Sequence, residues 1–381
     1  MNTFEKDKEY IANTYARFPL AVKEGHGAIL VDESGKEYID LGSGIAVNTF
    51  GAGDDEWVSA VSNQAKALSH ISNLYYTQPQ VQLAKLLCEK TGMKKVFFGN
   101  SGAEANECAI KVARKYGGSR SVVVSLEGSF HGRTLATLAM TGQDVFHTQF
   151  LPLPLGFKHT PPNDIAALES ALDDTVCALM LEIVQGEGGV NPVDKAFAQR
   201  AQEICRERDI LLMVDEVQTG MGRTGSLFAY MQYGLTPDVV TSAKGLGGGL
   251  PIGACLMGEK AQNVLGLSDH GSTFGGNPIC AAGAVSIVER LDEKLLSDVQ
   301  KKSGYIFETL KGKSGIKAIS GMGLMIGIET DKPAREVVDA CLKQGVVTLT
   351  AKNKVRLLPP LTISFGQLEK ALKVLVDNCA V

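Results

Sequence analysis

The chain has 381 residues, of which 44% are hydrophobic and 21% charged, the composition of a globular protein with a large core and room for two domains. Its net charge of −4 argues against a nucleic-acid partner, because such proteins usually carry a basic excess. The eight cysteines include no C-x-x-C pair, so we expect neither a zinc site nor a redox motif.

The first fifty residues combine a charged segment with a short β pattern. "MNTFEKDKEYIANTY" is charged throughout and lacks the apolar core of a signal peptide, and no run of the chain approaches 18 consecutive apolar residues. We therefore expect a cytoplasmic protein. "GAILVDESGKEYIDLGSG" predicts a small β-meander, and we expect residues 1–50 to pack with a smaller C-terminal domain.

The middle of the chain alternates short apolar runs with amphipathic segments of helix length. The runs are "KVFFGN" (95–100), "SVVVSLEG" (121–128), "CALMLEIV" (177–184), "ILLMVDEV" (210–217), "DVVTSAKG" (238–245) and "GACLMG" (253–258). Strands with so little alternation are typical of a mostly parallel sheet that helices cover on both faces. Between them, Ala105, Cys108, Ala109 and Val112 fall at i, i+3, i+4 and i+7 and predict one buried face of a helix. Residues 51–279 thus indicate a large α/β domain.

The last hundred residues have a different pattern. Two helix-length segments, "NPICAAGAVSIVERL" and "KLLSDVQKKSGYIFETLKGK", precede short strands at "GMGLMIGIET", "VVTLTA" and "KVRLLPPL" and a closing helix, "FGQLEKALKVLVDNCA". This order predicts a smaller α+β domain over residues 280–381.

Polar residues follow several of the predicted strands, at the edge where open α/β sheets bind ligands. After "KVFFG", Ser101, Gly102 and Ala103 lead into a helix with Glu104 in capping-box position. Such a helix start can bind a phosphate, although an ordinary N-cap has the same pattern. After "SVVVSLEGS", Phe130 and Arg133 in "FHGRT" would suit a flat ring beside a carboxylate, or be a core ring and a surface cation.

Two further strand ends carry acidic residues. Glu182 and Glu187 flank the end of "ALMLEIV" and the glycines of "QGEGGV". Asp215 ends a strand of five apolar residues, a position that requires a partner for the charge. The following Gly220-x-Gly222-x-x-Gly225 matches the dinucleotide fingerprint literally, but the glycines begin beyond the strand end and no clear helix follows. We therefore do not expect a dinucleotide there.

Lys244 lies between an apolar run and the glycine-dense loop of "TSAKGLGGGLPIG". No G-x-x-x-x-G-K-[ST] precedes it, which excludes a P-loop at this position. A lysine, a strand-end Asp, an aromatic ring and a phosphate-ready helix start together indicate pyridoxal 5′-phosphate, which needs each of them. We expect the glycines to give the lysine room to move between its bond to the cofactor and the free amine, and to let the backbone approach closely.

The chain resembles the class-III, fold-type-I aminotransferases over nearly its whole length, and the acetylornithine aminotransferases most closely. The motifs that carry the resemblance, in family order, are "GKEYIDLGSGIAVN", "NSGAEANE", "FHGRT", "QGEGGVNP", "DEVQTGMGRTG", "AKGLGGGLPIGA", "GSTFGGNP", "GMGLMIGIE" and "VRLLPPL". Two stretches depart from it. "GAGDDEW" (51–57) replaces a common Gly-His-x-His-Pro, and "EIVQ" (182–185) lacks a common proline. We expect a changed loop and unchanged chemistry.

The resemblance implies a role for each cofactor-binding residue. Lys244 would bond to the cofactor and then move a proton between the substrate carbon and the cofactor C4′. Asp215 would pair with the ring nitrogen, Gln218 with the 3-oxygen, and Phe130 would stack on the ring. The phosphate would be held by Ser101, Gly102 and Ala103 and by Thr273 of a neighbouring subunit, with Ser272 near the substrate. A site shared in this way implies a homodimer.

The resemblance also implies how substrates bind. Arg133 would bind the distal carboxylate of the amino donor, Arg356 the α-carboxylate of 2-oxoglutarate, and Glu187 would cover Arg356 while the donor is bound. The implied reaction converts N2-acetyl-L-ornithine and 2-oxoglutarate to N-acetyl-L-glutamate 5-semialdehyde and L-glutamate, a step of arginine biosynthesis. Ornithine, succinylornithine and 4-aminobutyrate stay open as donors. An NAD-dependent oxidoreductase and a catalytically silent cofactor-binding protein or scaffold are the remote alternatives.

Overall fold

The computed structural model describes residues 1–380. Its α-helices are α1 Thr3–Tyr10, α2 Ser43–Ala46, α3 Asp55–Ala67, α4 Gln78–Thr91, α5 Gly102–Gly117, α6 Leu135–Met140, α7 Ile165–Ala171, α8 Lys195–Glu207, α9 Ala229–Gln232, α10 Pro278–Arg290, α11 Glu293–Leu310, α12 Ala334–Lys343 and α13 Phe365–Cys379. Short 3₁₀ helices span Asp144–Phe146 and Lys244–Leu246. Within this described range, no helix combines the length and the apolar character that a membrane crossing requires.

The strands form one large sheet and three smaller ones. They are β1 Val22–His26, β2 Ile29–Asp32, β3 Glu37–Asp40, β4 Lys95–Gly99, β5 Val122–Leu126, β6 Phe157–Thr160, β7 Val176–Leu181, β8 Val184–Gln185, β9 Asn191–Pro192, β10 Leu211–Asp215, β11 Val239–Ser242, β12 Gly253–Met257, β13 Ile316–Met322, β14 Met325–Thr330, β15 Val346–Val347, β16 Leu349–Ala351 and β17 Lys354–Leu357.

The large sheet has the strand order β4-β12-β11-β10-β7-β5-β6. All its neighbouring pairs are parallel except those of β12, which runs antiparallel to both β11 and β4. The predicted mostly parallel α/β sheet is confirmed, and every apolar run named above forms one of its strands. Edge strand β6, "FKHT", was not predicted, because it is short and half polar.

Helices cover both faces of this sheet. Along β10, Leu211 and Met213 pack with the side chains of α5, whereas Leu212 and Val214 face the core to which α8 contributes. The predicted buried face of α5 has no exposed surface; it consists of Ala105, Cys108, Ala109 and Val112. The two-sided burial explains why these strands show no polar alternation.

The N-terminal and C-terminal parts pack together. Strand β3 pairs in parallel with β15, which joins the N-terminal meander to the C-terminal α+β part. Another sheet of four strands, β13-β14-β17-β16, is entirely antiparallel. It brings Arg356 on β17 close to Gln218, which follows β10 of the large sheet. Helix α10 packs on α3 and α4.

Candidate functional site

A cavity of about 490 Å³ lies at the carboxyl ends of β4, β5, β7, β10 and β11. Nine of the twelve candidate residues line it: Ser101, Gly102, Ala103, Phe130, Arg133, Glu187, Asp215, Gln218 and Lys244. Ligands of open α/β sheets bind at this edge. Arg356, Ser272 and Thr273 are the three that do not line it.

Lys244 follows the end of β11 after one residue, Ala243, and lines the cavity. Its backbone has φ +44°, a left-handed conformation that L-residues rarely adopt and that is one of the strained conformations found at active sites. Removal from bulk water is the largest influence on the pKa of Lys244, which is lowered, and the charge of Arg356 acts in the same direction. A lowered pKa increases the fraction of neutral, nucleophilic amine.

Two of the glycines after Lys244 are closely packed, in agreement with the expected close approach of the backbone. A Cβ on Gly245 would lie 2.9 Å from Thr49 Oγ1, and one on Gly247 would overlap the carbonyl of Leu250. Thr49 Oγ1 donates to Gly245 O at 2.7 Å, and Trp57 Nε1 donates to Gly247 O at 3.0 Å. Trp57 lies in the first turn of α3, within the 51–57 segment that departs from the family pattern, so this segment packs against the glycines that follow Lys244.

Asp215 is buried and held by three donors. Asn106 Nδ2 and His131 Nδ1 each lie 2.8 Å from Oδ2, and the Val217 N–H donates to Oδ1 at 3.0 Å. Burial lowers the pKa of His131, but the hydrogen bond to Asp215 and the charges of Asp215 and Glu182 outweigh it, so the net direction is upward. The carboxylate is therefore fixed in orientation, with the His131 imidazole against one of its oxygens.

Sequence reasoning missed Asn106 and His131 as site residues. Both stand inside motifs that were recognised, "NSGAEANE" and "FHGRT". The available indication was a polar side chain on the small, apolar face of α5, where Asn106 follows Ala105. Glu182 is buried as well and accepts a hydrogen bond from the Phe130 N–H at 3.0 Å, while burial raises the pKa of Glu182 to about 7.

The start of α5 forms one wall of the cavity. Ser101 is the N-cap, and its side chain accepts from the Glu104 N–H at 3.1 Å. The predicted capping box is only half formed, because Glu104 Oε2 binds the Asn100 N–H at 2.6 Å instead of the N–H of Ser101. A Cβ on Gly102 would lie 2.8 Å from Val217, so only glycine fits there. This leaves small residues and free N–H groups at the helix N-terminus, as an anion requires.

Arg356 reaches the site from β17. Its Nη1 lies 2.6 Å from Glu187 Oε1 and 3.4 Å from Gln218 Oε1. Arg356 is only 3% exposed, whereas a third of the Glu187 side chain is accessible. Gln218 Nε2 is buried without a protein partner, so one donor at the cavity wall is left for a ligand.

Ser272 and Thr273 lie outside the cavity. Ser272 Oγ accepts from Asn100 Nδ2 at 3.2 Å and so touches a residue that lines it. Thr273 lies with residues 70–80 around a separate small pocket at the surface.

The dinucleotide-like glycines form a packed turn that continues into no long helix. A Cβ on Gly220 would lie 2.8 Å from the Phe228 ring, and the next helix, α9, has four residues. Arg223 of this turn is buried and donates to the carbonyls of Leu324 and Pro359, which connects the turn to the C-terminal part. Among residues 1–380, no group of three His, Cys, Asp or Glu side chains could hold a metal ion.

Comparisons with known proteins agree with this geometry. The family model described as Aminotransferase class-III matches residues 10–378. The acetylornithine aminotransferase of Haemophilus ducreyi is 51% identical over 379 residues, covering 97% of this chain and 96% of that protein. The acetylornithine aminotransferase of Caldanaerobacter subterraneus is 45% identical over 389 residues, covering 99% of this chain and 98% of that protein.

Two solved structures are similar over almost the whole chain. An ornithine aminotransferase from Toxoplasma gondii has a TM-score of 0.94 at 31% identity, covering 98% of this chain and 93% of that one. The N-acetylornithine aminotransferase from Stenotrophomonas maltophilia has a TM-score of 0.84 at 34% identity, covering 98% of each chain.

Proposed function

Since the chain belongs to the class-III aminotransferases, we propose that it moves the terminal amino group of N2-acetyl-L-ornithine to 2-oxoglutarate, giving N-acetyl-L-glutamate 5-semialdehyde and L-glutamate, a step of arginine biosynthesis. The observation that carries this proposal is the single cavity in which Lys244, Asp215, Arg133 and Glu187 meet. Curated relatives at up to 51% identity named acetylornithine aminotransferase favour this donor over ornithine, although an ornithine aminotransferase gives a high structural similarity at 31% identity.

The family uses pyridoxal 5′-phosphate, and the residues of the cavity fit it. Asp215, fixed by three donors, would hold the ring nitrogen in its protonated form. The unpartnered Nε2 of Gln218 would donate to the 3-oxygen. Ser101 and the N–H groups at the start of α5 would hold the phosphate. When bound, the cofactor supplies an electron-withdrawing ring that makes a neighbouring C–H acidic.

Lys244 would do the proton transfers. Its lowered pKa leaves the amine able to bond to the cofactor aldehyde and, once released, to take the proton from the terminal CH₂ carbon of the substrate. Phe130 would offer its ring face to the cofactor, and its position is set by the bond between its N–H and Glu182. Ser272 accepts a hydrogen bond from Asn100, which lines the cavity, and would lie near the substrate.

Arg356 and Glu187 would alternate between two states. The donor has no carboxylate beside its terminal amine, so Arg356 is best neutralised by Glu187, as the 2.6 Å contact allows. 2-Oxoglutarate has a carboxylate beside its reacting carbon, and Glu187, which is partly exposed, can swing away to release Arg356. Arg133 would bind the distal carboxylate.

We further propose a homodimer with shared sites, acting in the cytoplasm. Residues 70–77 and 272–277 form one surface, joined where Asn73 Nδ2 donates to the carbonyls of Ser272 and Gly275. This surface exposes large apolar side chains, including 86% of Leu74, 98% of Tyr76 and 61% of Phe274, as an interface patch does. A second copy seated there would bring its Thr273 to the phosphate. The eight free cysteines fit a reducing compartment.

The first test is the absorption spectrum of the purified protein with pyridoxal phosphate. We expect a band from the lysine-bound cofactor that Lys244→Ala lacks. N2-acetylornithine should bleach it at far lower concentration than ornithine or 4-aminobutyrate. Bleaching by another amine alone would keep the chemistry and refute the donor. Absence of the band, even after adding the cofactor, would refute the role of Lys244 and reopen the oxidoreductase alternative.

The shared site is tested by mixed dimers. Lys244→Ala and Thr273→Asp would each inactivate a homodimer, but a mixed dimer would keep one intact site. Random co-assembly should then restore about a quarter of the wild-type activity, since half of the dimers are mixed and each has one of two sites. No recovery in dimers verified as mixed would refute the sharing of Thr273.

A further inference from the structure

The two arginines of the site are held in different ways. Arg356 is paired with a carboxylate, but the guanidinium of Arg133 has no ion-pair partner within residues 1–380. Its Cζ instead lies 4.0 Å from the ring centroid of Phe146 and 5.5 Å from that of Phe130. The two rings meet edge to face, with centroids 6.0 Å apart. Arg133 is therefore an exposed cation held by two aromatic rings.

Phe146 is itself held firmly. It ends the 3₁₀ helix Asp144–Phe146, and its N–H donates to Gln143 O at 3.1 Å. Gln143 Nε2 donates to Ser129 O at 3.0 Å, and His147 Nε2 lies 2.8 Å from Thr141 O. The neighbouring Val145 and Phe150 are exposed, whereas Phe146 is half-buried against Arg133. The segment thus places one aromatic ring against Arg133, which lines the cavity.

We propose that Phe146 is a positioning residue that sets donor specificity, by holding the Arg133 guanidinium where it can bind the carboxylate beside the acetamido nitrogen. The inference rests on the proposed function, which assigns that carboxylate to Arg133. A ring face attracts a cation without neutralising it, so Arg133 stays available to the donor. A carboxylate partner, such as Glu187 supplies to Arg356, would compete with the substrate.

The test compares two ligands that differ only in the carboxylate. N2-acetyl-L-ornithine has it, and N-acetyl-1,4-diaminobutane lacks it. Their dissociation constants are measured by calorimetry on holoenzyme whose lysine–cofactor bond has been reduced with borohydride, so that no turnover occurs. The variants are Phe146→Leu, which removes the ring, Phe146→Tyr, which keeps it, and Phe150→Leu, a matched loss of an exposed ring from the same segment.

Phe146→Leu should raise the dissociation constant of N2-acetylornithine about twofold to fivefold and leave that of N-acetyl-1,4-diaminobutane unchanged. Phe146→Tyr should bind N2-acetylornithine with the wild-type affinity. Phe150→Leu should leave the dissociation constants of both ligands unchanged. In the half-reaction, the half-saturating concentration of N2-acetylornithine should rise while the limiting rate stays within about twofold.

Two results would overturn the inference for Phe146 alone: equal weakening of both ligands, which indicates a general structural role, or no change in either. A wild-type enzyme that binds both ligands equally would instead show that Arg133 does not bind the donor carboxylate. That outcome overturns the inference through the proposed function, and it is recognised before any variant is made.

Discussion

Replacing Glu187 with Gln removes the negative charge that covers Arg356 while keeping nearly the same shape. In the wild type, an amino donor with a carboxylate beside its reacting amine must displace Glu187 before it can bind Arg356. In Glu187→Gln, Arg356 is available from the outset. We expect the half-reaction with L-glutamate to become more efficient relative to the half-reaction with N2-acetylornithine, which has no carboxylate at that position.

The size of the change follows from the contact. The Arg356 Nη1–Glu187 Oε1 distance is 2.6 Å, and Arg356 is buried. Hydrogen bonds to charged groups contribute about 1.5–3 kcal/mol. Because a third of the Glu187 side chain is exposed, solvent screening reduces this to about 1–2 kcal/mol. The ratio of the two kcat/KM values should therefore rise about 5- to 30-fold.

Rapid mixing measures both half-reactions through the loss of the lysine-bound cofactor band. Glu207→Gln, a surface substitution on α8 far from the cavity, is the matched control and should leave the ratio unchanged. A parallel decrease of both half-reactions in Glu187→Gln, with the ratio constant, would show that Glu187 does not control access to Arg356.

Two further substitutions test the construction of the site. Burial raises the pKa of Glu216 to about 7, so its protonated form stabilises the fold, and that contribution is lost as the pH rises from about 4.5 to 7. The unfolding free energy of Glu216→Gln, measured relative to that of the wild type by denaturant titration, should thus increase by about 2 kcal/mol from pH 5 to pH 8. The same difference between variant and wild type at both pH values would contradict this. A Cβ on Gly253 would overlap the carbonyl of Ser101; Gly253→Ala should therefore shift the start of α5 and raise the cofactor dissociation constant at least about tenfold. Gly304→Ala in α11, where the Cβ meets nothing, is its control and should keep cofactor affinity and gain about 0.5–1 kcal/mol of stability; equal cofactor affinity in both variants would refute the packing argument.

Much of the fold was predictable because two-sided burial leaves a strong pattern. Strands such as β7, with all six residues buried, appear in the sequence as uninterrupted apolar runs. Edge strand β6 has water on one side and no such run, and the antiparallel direction of β12 depends on its neighbours, which no local pattern specifies. The sequence therefore predicts which segments are strands better than how they pair.

The sequence predicted the site residues whose own side chains would contact the cofactor or substrate, and it missed residues that contact only another side chain of the site. Lys244 and Asp215 stand out because a charge at the end of a buried strand requires a partner. Asn106 and His131 act through Asp215, and their importance arises from 2.8 Å contacts across more than 80 residues of chain. The glycines after Lys244 show a related case, since their composition predicts close backbone approach but only the fold shows that Thr49 and Trp57 are the side chains that pack against them.

The difference between Arg133 and Arg356 is also one that only the fold reveals. Arg133 follows a predicted strand and Arg356 lies within one, but the motifs alone show no difference in how the two are held. Packing gives Arg356 an ionic partner on a partly exposed loop and gives Arg133 two aromatic rings. An arginine with an ionic partner can bind a substrate carboxylate only after that partner moves away, whereas an arginine held by a ring face stays available to the substrate. The proposed function, which needs a distal carboxylate bound in the donor and a carboxylate beside the reacting carbon bound in only one of the two half-reactions, would use this division.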